Sequence, residues 1–221
     1  MPTWIKICGT TSIEDALASV AAGADALGFI FAPSLRRISA QQARAIAARV
    51  PDHIETVGVF VDESSEIIRA TVEEVGLTAV QLHGAETPEF VAGLFPSGRR
   101  GRRVGVIKTI LANDKDYKND KFEETLALFR QNHGCVDSIL IDSGSGSGKT
   151  FDWHKTQART HGDNLRFIVA GGLTPENVGP AIQKFSPWGV DVVSGVERAP
   201  GQKDPEKLKA FVAAVRRAEP Q

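Results

Sequence analysis

Cysteine is scarce in this chain. The 221 residues hold only Cys8 and Cys135, too few for a disulfide scaffold and expected to remain thiols in a reducing compartment. Long apolar runs are missing too: nothing approaches the ~18 uninterrupted apolar residues of a membrane span. The opening Met-Pro-Thr-Trp-Ile-Lys-Ile-Cys lacks the apolar core of a signal peptide, so a cytoplasmic protein without membrane partners is expected. Neither sign of charge is in excess. With 26 Lys and Arg against 27 Asp and Glu, the net charge of −1 gives no broad field for nucleic acid, and any anion site must be local. The arginine-rich stretch Ser97 to Arg103 is short and reads as a solvated loop. The five histidines, His53, His83, His133, His154 and His161, are scattered, and neither His-Glu-x-x-His nor Cys-x-x-Cys occurs, so no metal is expected. Gly-x-Gly-x-x-Gly is also absent where a dinucleotide-binding fold would carry it, because Cys8 is followed by Gly9-Thr10-Thr11-Ser12.

What is present is a rhythm. At 42% hydrophobic and 24% charged residues, the chain can bury a sizeable core. Eight short apolar runs recur: Trp4 to Cys8, Ala26 to Phe31, Thr56 to Val61, Ala79 to Leu82, Val104 to Ile110, Ser138 to Ile141, Phe167 to Ala170 and Val190 to Val193. Such runs suit strands buried on both faces. Between them lie stretches with helical spacing, among them Ser12 to Ala22, Ala40 to Arg49, Ser64 to Val75 and Pro88 to Phe95. Ser12 and Ser39, with Glu14 and Gln41 nearby, read as helix starts, as does Thr174-Pro175-Glu176. A last helix is predicted from about Asp204 to Arg217, opened by Pro205 and closed by two arginines at its negative end. Alternating strand and helix forces parallel strands, and eight units favour closure into an α/β fold of one (β/α)₈ barrel spanning residues 1–221. An open doubly wound sheet is the other arrangement.

Catalytic groups of such a barrel stand at the C-terminal ends of its strands, here Cys8, Phe31, Asp62, His83, Lys108, Asp142, Gly171 and Ser194. Cys8 and Asp142 can both move protons. Taken alone, a cysteine at such a place is more often a small core residue than a catalyst, and Asp142 could equally cap its loop. Ser143 to Thr150 resembles a phosphate-binding P-loop, but serine stands where its first glycine belongs and Phe151-Asp152-Trp153 follows where a long helix should, so a substrate-covering or plain flexible loop fits better. Gly171-Gly172 and Ser194-Gly195 follow the seventh and eighth strands, where barrels often bind phosphate through backbone N–H groups, so a phosphorylated small molecule is the natural inference, ahead of tight turns without a ligand.

Lys6-Ile7-Cys8-Gly9, Ala24 to Phe31, Ser34-Leu35-Arg36-Arg37-Ile38-Ser39, Gln81-Leu82-His83-Gly84, Gly146 to Trp153, Ala170 to Val178, Ser194 to Glu197 and Pro200 to Asp204 resemble the successive signatures of the phosphoribosylanthranilate isomerase family of tryptophan biosynthesis. The resemblance runs unbroken from about residue 4 to residue 216. It implies a cofactor-free Amadori rearrangement of a small phosphorylated substrate, by a monomer or homodimer. By the same resemblance Cys8 would be the general base and Asp142 the general acid. Arg36 would hold the anthranilate carboxylate, His83 would contact substrate, and Asp191 would place the ribose. Gly171, Gly172, Ser194 and Gly195 would hold the phosphate. Leu35 stands where the family usually has proline, and Ser147 where threonine is common; Ser97 to Arg103 and Asn113 to Asn119 look longer than in compact members.

The implied chemistry needs both groups in the forms neutral water disfavours, given unperturbed pKa values of about 8.5 for cysteine and about 3.9 for aspartate. Burial would keep the aspartate protonated, and nearby cations would favour the thiolate. Lys6 is expected to point away from the thiol, which leaves Lys108 as the cation. Rival readings are the sister sugar-phosphate isomerase of histidine biosynthesis, which uses aspartate as base, an enzyme serving both substrates, and a non-catalytic sugar-phosphate binder.

Overall fold

The computed structural model describes residues 2–95, 103–112, 121–132, 134–142 and 165–219. Eight parallel strands close into a barrel: β1 (Trp4–Cys8), β2 (Ala26–Ile30), β3 (Glu55–Phe60), β4 (Ala79–Leu82), β5 (Gly105–Leu111), β6 (Ser138–Asp142), β7 (Arg166–Ala170) and β8 (Gly189–Val192). Each pairs with its sequence neighbour, and β8 returns to β1 with Lys6 beside Asp191. The predicted apolar runs match these strands to within a residue or two, because strands covered on both faces need no polar alternation.

Two apolar layers result. Ile5, Ile7, Leu27, Phe29 and Val80 point outward into the core shared with the helices. Trp4, Ala26, Val57, Ala79, Ile107, Leu140, Ile168 and Ala170 form a separate cluster inside the barrel. Polar side chains also lie inside: Lys6, Gln81, Thr109 and Asp191 are all buried. Lone polar residues within otherwise apolar strands are costly unless paired, and the site described below pairs them.

Seven helices are described: α1 (Ile13–Ala22), α2 (Ala40–Ala47), α3 (Ser65–Val75), α4 (Pro88–Leu94), α5 (Lys121–Gln131), α6 (Val178–Phe185) and α7 (Pro205–Ala218). Ser12 caps α1 by accepting from Asp15 N. Ser39 caps α2 in a capping box whose second member is Gln42, one residue beyond the predicted Gln41, since the reciprocal bond needs the third helical position. Asp204 caps α7, which ends with Arg216 and Arg217 as predicted. The expected helix start at Thr174 lies too early. Residues 174–177 form a turn, and the Asn177 side chain ties Thr174 N (2.7 Å) to Gly172 O (2.9 Å), so α6 begins only at Val178.

Leu208, Phe211 and Val215 seal α7 with no exposed surface, and α7 packs on α1 and α6. Phe211→Ala is therefore expected to cost ~3–5 kcal/mol of stability, read as a lower urea midpoint. A midpoint unchanged within error would contradict this packing.

After β8 the chain makes a short 3₁₀ turn (Ser194–Val196) and an antiparallel pair, β9 (Glu197–Ala199) and β10 (Gln202–Lys203). This return places Glu197 and Lys203 against the end of β1. The stretches 143–164 and 113–120 lie outside the described residues, with the Gly-Ser loop and its Phe-Asp-Trp sequence; of Ser97 to Arg103 only Arg103 is described, paired with Asp137 at 2.6 Å.

Candidate active site

Cys8 ends β1 and is 3% exposed. Gly28 on β2 lies in register with it, and a Cβ there would stand 2.6 Å from the Cys8 sulfur, so glycine is what gives the thiol its room. Burial pushes the thiol pKa up, and Asp191 adds to this; Lys6 and Lys203 pull it down without prevailing. The cations that thiolate chemistry calls for are thus present, but burial outweighs them.

The expectation that Lys6 faces away from Cys8 is wrong. Residues two apart on a strand share a face, so Lys6 points into the barrel beneath the thiol. Its ammonium donates to Asp191 Oδ1 and to Gln81 Oε1, both at 2.8 Å. Burial pushes the Lys6 pKa down, but Asp191 and Cys8 more than offset that, leaving it raised and the lysine charged. Asp191 is therefore engaged by Lys6 at the level below the mouth.

Lys108, the cation favoured from sequence, is committed elsewhere. It pairs with Glu86 at 2.9 Å and donates to the carbonyls of Leu82 (3.2 Å) and Gly84 (2.7 Å). Glu86 in turn accepts from Asp62 N (3.0 Å) and Gly84 N (3.0 Å). Lys108 thus fixes the loop after β4 rather than tuning the thiol.

That loop carries His83. Its Nδ1 lies 3.1 Å from Gln81 Nε2, and its Nε2 lies 3.8 Å from Asp142 Oδ2. Asp142 is the last residue of β6, with its side chain about a quarter exposed (23%). Burial pushes the His83 pKa down, against the pull of Asp142, and keeps the ring neutral. Cys8 and Asp142 therefore stand three strands apart around the barrel, both at C-terminal strand ends, with Lys6, Gln81 and His83 strung between them.

Arg36, on the loop after β2, meets Glu197 through two N–H groups, Nε to Oε1 at 2.8 Å and Nη2 to Oε2 at 2.6 Å. Burial pushes the Glu197 pKa up, but the Arg36 and Lys203 contacts outweigh it and hold the carboxylate low. Lys203, wholly buried, donates to Glu197 Oε1 (3.2 Å) and to the carbonyl of Cys8 (2.6 Å). A planar guanidinium offers two donor edges. Glu197 takes the Nε–Nη2 edge, and the Nη1–Nη2 edge is turned away from it.

The glycine pairs lie where expected. Gly171 and Gly172 take positive φ of 88° and 69° after β7, and Ser194 opens the 3₁₀ turn after β8. A Cβ on Gly195 would overlap the carbonyl of Leu173, so the two loops can approach only because residue 195 has no side chain. Gly195→Ala is expected to lose ~1–3 kcal/mol of stability, read as a lower melting temperature. An unchanged melting temperature would refute the close-approach role.

Sequence reasoning missed Lys6, Gln81, Glu197, Lys203 and Gly28 as parts of this site. For Lys6 and Gln81 a signal existed: each is a lone polar residue inside an apolar strand, at Ile5-Lys6-Ile7 and Val80-Gln81-Leu82. Among the described residues no group of three or more His, Cys, Asp or Glu could hold a metal ion, and no helix is long and apolar enough to cross a membrane.

Comparison with known proteins bears on this arrangement. The family model described as N-(5'-phosphoribosyl)anthranilate (PRA) isomerase matches residues 5–214. A curated N-(5'-phosphoribosyl)anthranilate isomerase of Pelobacter propionicus is 42% identical over 209 residues, covering 94% of this chain and 93% of its own. The crystal structure of phosphoribosyl anthranilate isomerase from Thermotoga maritima superposes with a TM-score of 0.82 at 40% identity, covering 96% of this chain and 98% of its own. A second crystal structure of a phosphoribosyl anthranilate isomerase, in complex with reduced 1-(o-carboxyphenylamino)-1-deoxyribulose 5-phosphate, gives a TM-score of 0.79 at 39% identity, with 96% and 98% covered. With the whole barrel matched in sequence and in shape, the chain belongs to the N-(5'-phosphoribosyl)anthranilate isomerase family.

Proposed function

We propose that the protein isomerises N-(5'-phosphoribosyl)anthranilate to 1-(2-carboxyphenylamino)-1-deoxyribulose 5-phosphate in tryptophan biosynthesis, with Asp142 as general acid and Cys8 as general base. The observation that carries this reading is the pairing of a buried thiol and a carboxylate at the C-terminal ends of β1 and β6 in a chain of this family. Protonated Asp142 donates to the ribose ring oxygen, the C1′–O bond breaks, and a Schiff base forms. Burial keeps Cys8 a thiol at rest, and it acts through the thiolate fraction that Lys6 and Lys203 favour. This thiolate takes the proton from C2′, giving an enolamine, which tautomerises to the ketone at C2′. No redox equivalent is consumed.

The other roles follow the same logic. Gly171, Gly172, Ser194 and Gly195 offer backbone N–H groups to the 5′-phosphate at the loops after β7 and β8. The outward Nη1–Nη2 edge of Arg36 takes the anthranilate carboxylate, its other edge being braced by Glu197. His83 faces the substrate beside Asp142, and Asp191 orients the ribose from below through its link to Lys6.

Arg36→Lys keeps the charge but loses the fork. Loss of a charge-assisted bond worth ~1.5–3 kcal/mol would raise KM roughly 10- to 100-fold, with a smaller effect on kcat. A KM equal to that of the parent would remove Arg36 from the carboxylate site. The activity itself is tested by mixing purified protein with freshly made phosphoribosylanthranilate and following anthranilate-type fluorescence. Enzyme-dependent loss is expected; no loss with well-folded protein overturns the reading.

A further inference from the structure

We infer that Lys6 and Gln81 act together as a positioning pair that fixes the tautomer of His83, so that its Nε2–H is aimed at the Asp142 carboxyl. The inference rests on Asp142 being the proton donor of the proposed reaction; the hydrogen-bond pattern that carries it does not.

The argument needs only the donor and acceptor inventory of four side chains. An ammonium has three donors and no acceptor, so whatever faces Lys6 Nζ at 2.8 Å must be an oxygen. For Gln81 that choice leaves its amide nitrogen at the other end, where it lies 3.2 Å from Thr109 Oγ1 and 3.1 Å from His83 Nδ1. The orientation of this amide is therefore set by the lysine's chemistry. An NH₂ group can only donate to the imidazole, so His83 Nδ1 must present its lone pair. A ring protonated at Nδ1 would set two donors against each other within hydrogen-bond distance. The remaining proton of the neutral ring is on Nε2, the atom 3.8 Å from Asp142 Oδ2.

The rest of the surroundings hold this register. Lys6 is pinned on its other side by Asp191 at 2.8 Å, and both are buried. His83 N donates to Phe60 O at 2.8 Å, while Lys108 holds the carbonyls on either side of His83, those of Leu82 and Gly84. The backbone that carries the ring is therefore held in place, and a flip of the imidazole would break its contact with Gln81. Burial, which keeps the imidazole neutral, agrees with the same tautomer.

The consequence is functional. At 3.8 Å the His83–Asp142 contact is longer than a hydrogen bond, and catalytic contacts of this kind commonly shorten when substrate is bound. An Nε2–H directed at Asp142 supports the carboxylate left after the ring oxygen has been protonated. It also directs the second carboxyl oxygen toward the substrate. Asp191, Lys6, Gln81 and His83 thus form one continuous polar chain from below the candidate base to the candidate acid.

The test is ¹⁵N NMR of the His83 imidazole in the full chain at neutral pH. A pyridine-type Nδ1 and a pyrrole-type Nε2 are expected; a protonated Nδ1 in the parent protein overturns the inference. In Gln81→Glu the group facing Nδ1 has no N–H to give, so the proton is expected to move onto Nδ1, with kcat about tenfold lower or more and KM little changed. A Gln81→Glu protein that keeps the parent tautomer, or the parent kcat, also overturns it. If that variant fails to fold, the parent spectrum still decides. A parent protein with the expected tautomer but no isomerase turnover would instead count against the proposed function.

Discussion

Cys8→Ala is expected to lower kcat by ~10²–10⁴-fold, the range general-base catalysis supplies. The thiol ends β1 above Lys6, and the acceptors around it are already spoken for: Asp191 by Lys6, Glu197 by Arg36 and Lys203. Its loss leaves C2′ deprotonation to water. Cys8→Ser should retain at most a trace, because a hydroxyl in the same buried place ionises far less readily than a thiol. The fold should survive. Cys8 occupies a small space against Gly28, and removing one sulfur from the core costs on the order of 1 kcal/mol. Thermal unfolding close to the parent's, together with lost turnover, separates chemistry from stability. Near-normal kcat in purified Cys8→Ala would remove the thiol from the mechanism.

Asp142→Asn should show a comparable loss, ~10²-fold or more, with KM far less affected. The substitution keeps volume and leaves an amide oxygen for the His83 Nε2–H, so the strand end and its neighbours stay in place. What disappears is the exchangeable acid proton, and ring opening is then left without a donor. A parent-like kcat would reject Asp142 as the acid. Failure of Asp142→Asn with Cys8→Ala equally silent would fit two steps of one sequence, since both groups must act on each molecule turned over.

Much of the barrel was legible because its strands are buried on both faces. Runs such as Ala79 to Leu82 and Ser138 to Ile141 stand out from amphipathic helices by length and by their lack of a polar face. Helix starts were less secure: Thr174-Pro175-Glu176 has the composition of a cap, but Asn177 spends its side chain on the loop after β7. In the site, Cys8 and Asp142 could be named because strand ends are marked by where the apolar run stops. Lys6 was misassigned although strand periodicity places it on the face of Cys8. Glu197 and Lys203 were beyond local reading, because the return of β9 and β10 brings Lys203 to the Cys8 carbonyl, with Glu197 paired to it, from almost the far end of the chain. Gly28 was hidden for a different reason: its role is an absence of volume, visible only once β2 lies beside β1.

The measurement that tests the account most directly is product identification by NMR after reaction in D₂O. The account predicts an aminoketose with its carbonyl at C2′, no hydrogen left on that carbon, and deuterium at C1′, formed by the parent protein and not by Cys8→Ala. Unchanged phosphoribosylanthranilate, or free anthranilate at no more than the spontaneous rate, from a well-folded parent protein would contradict it.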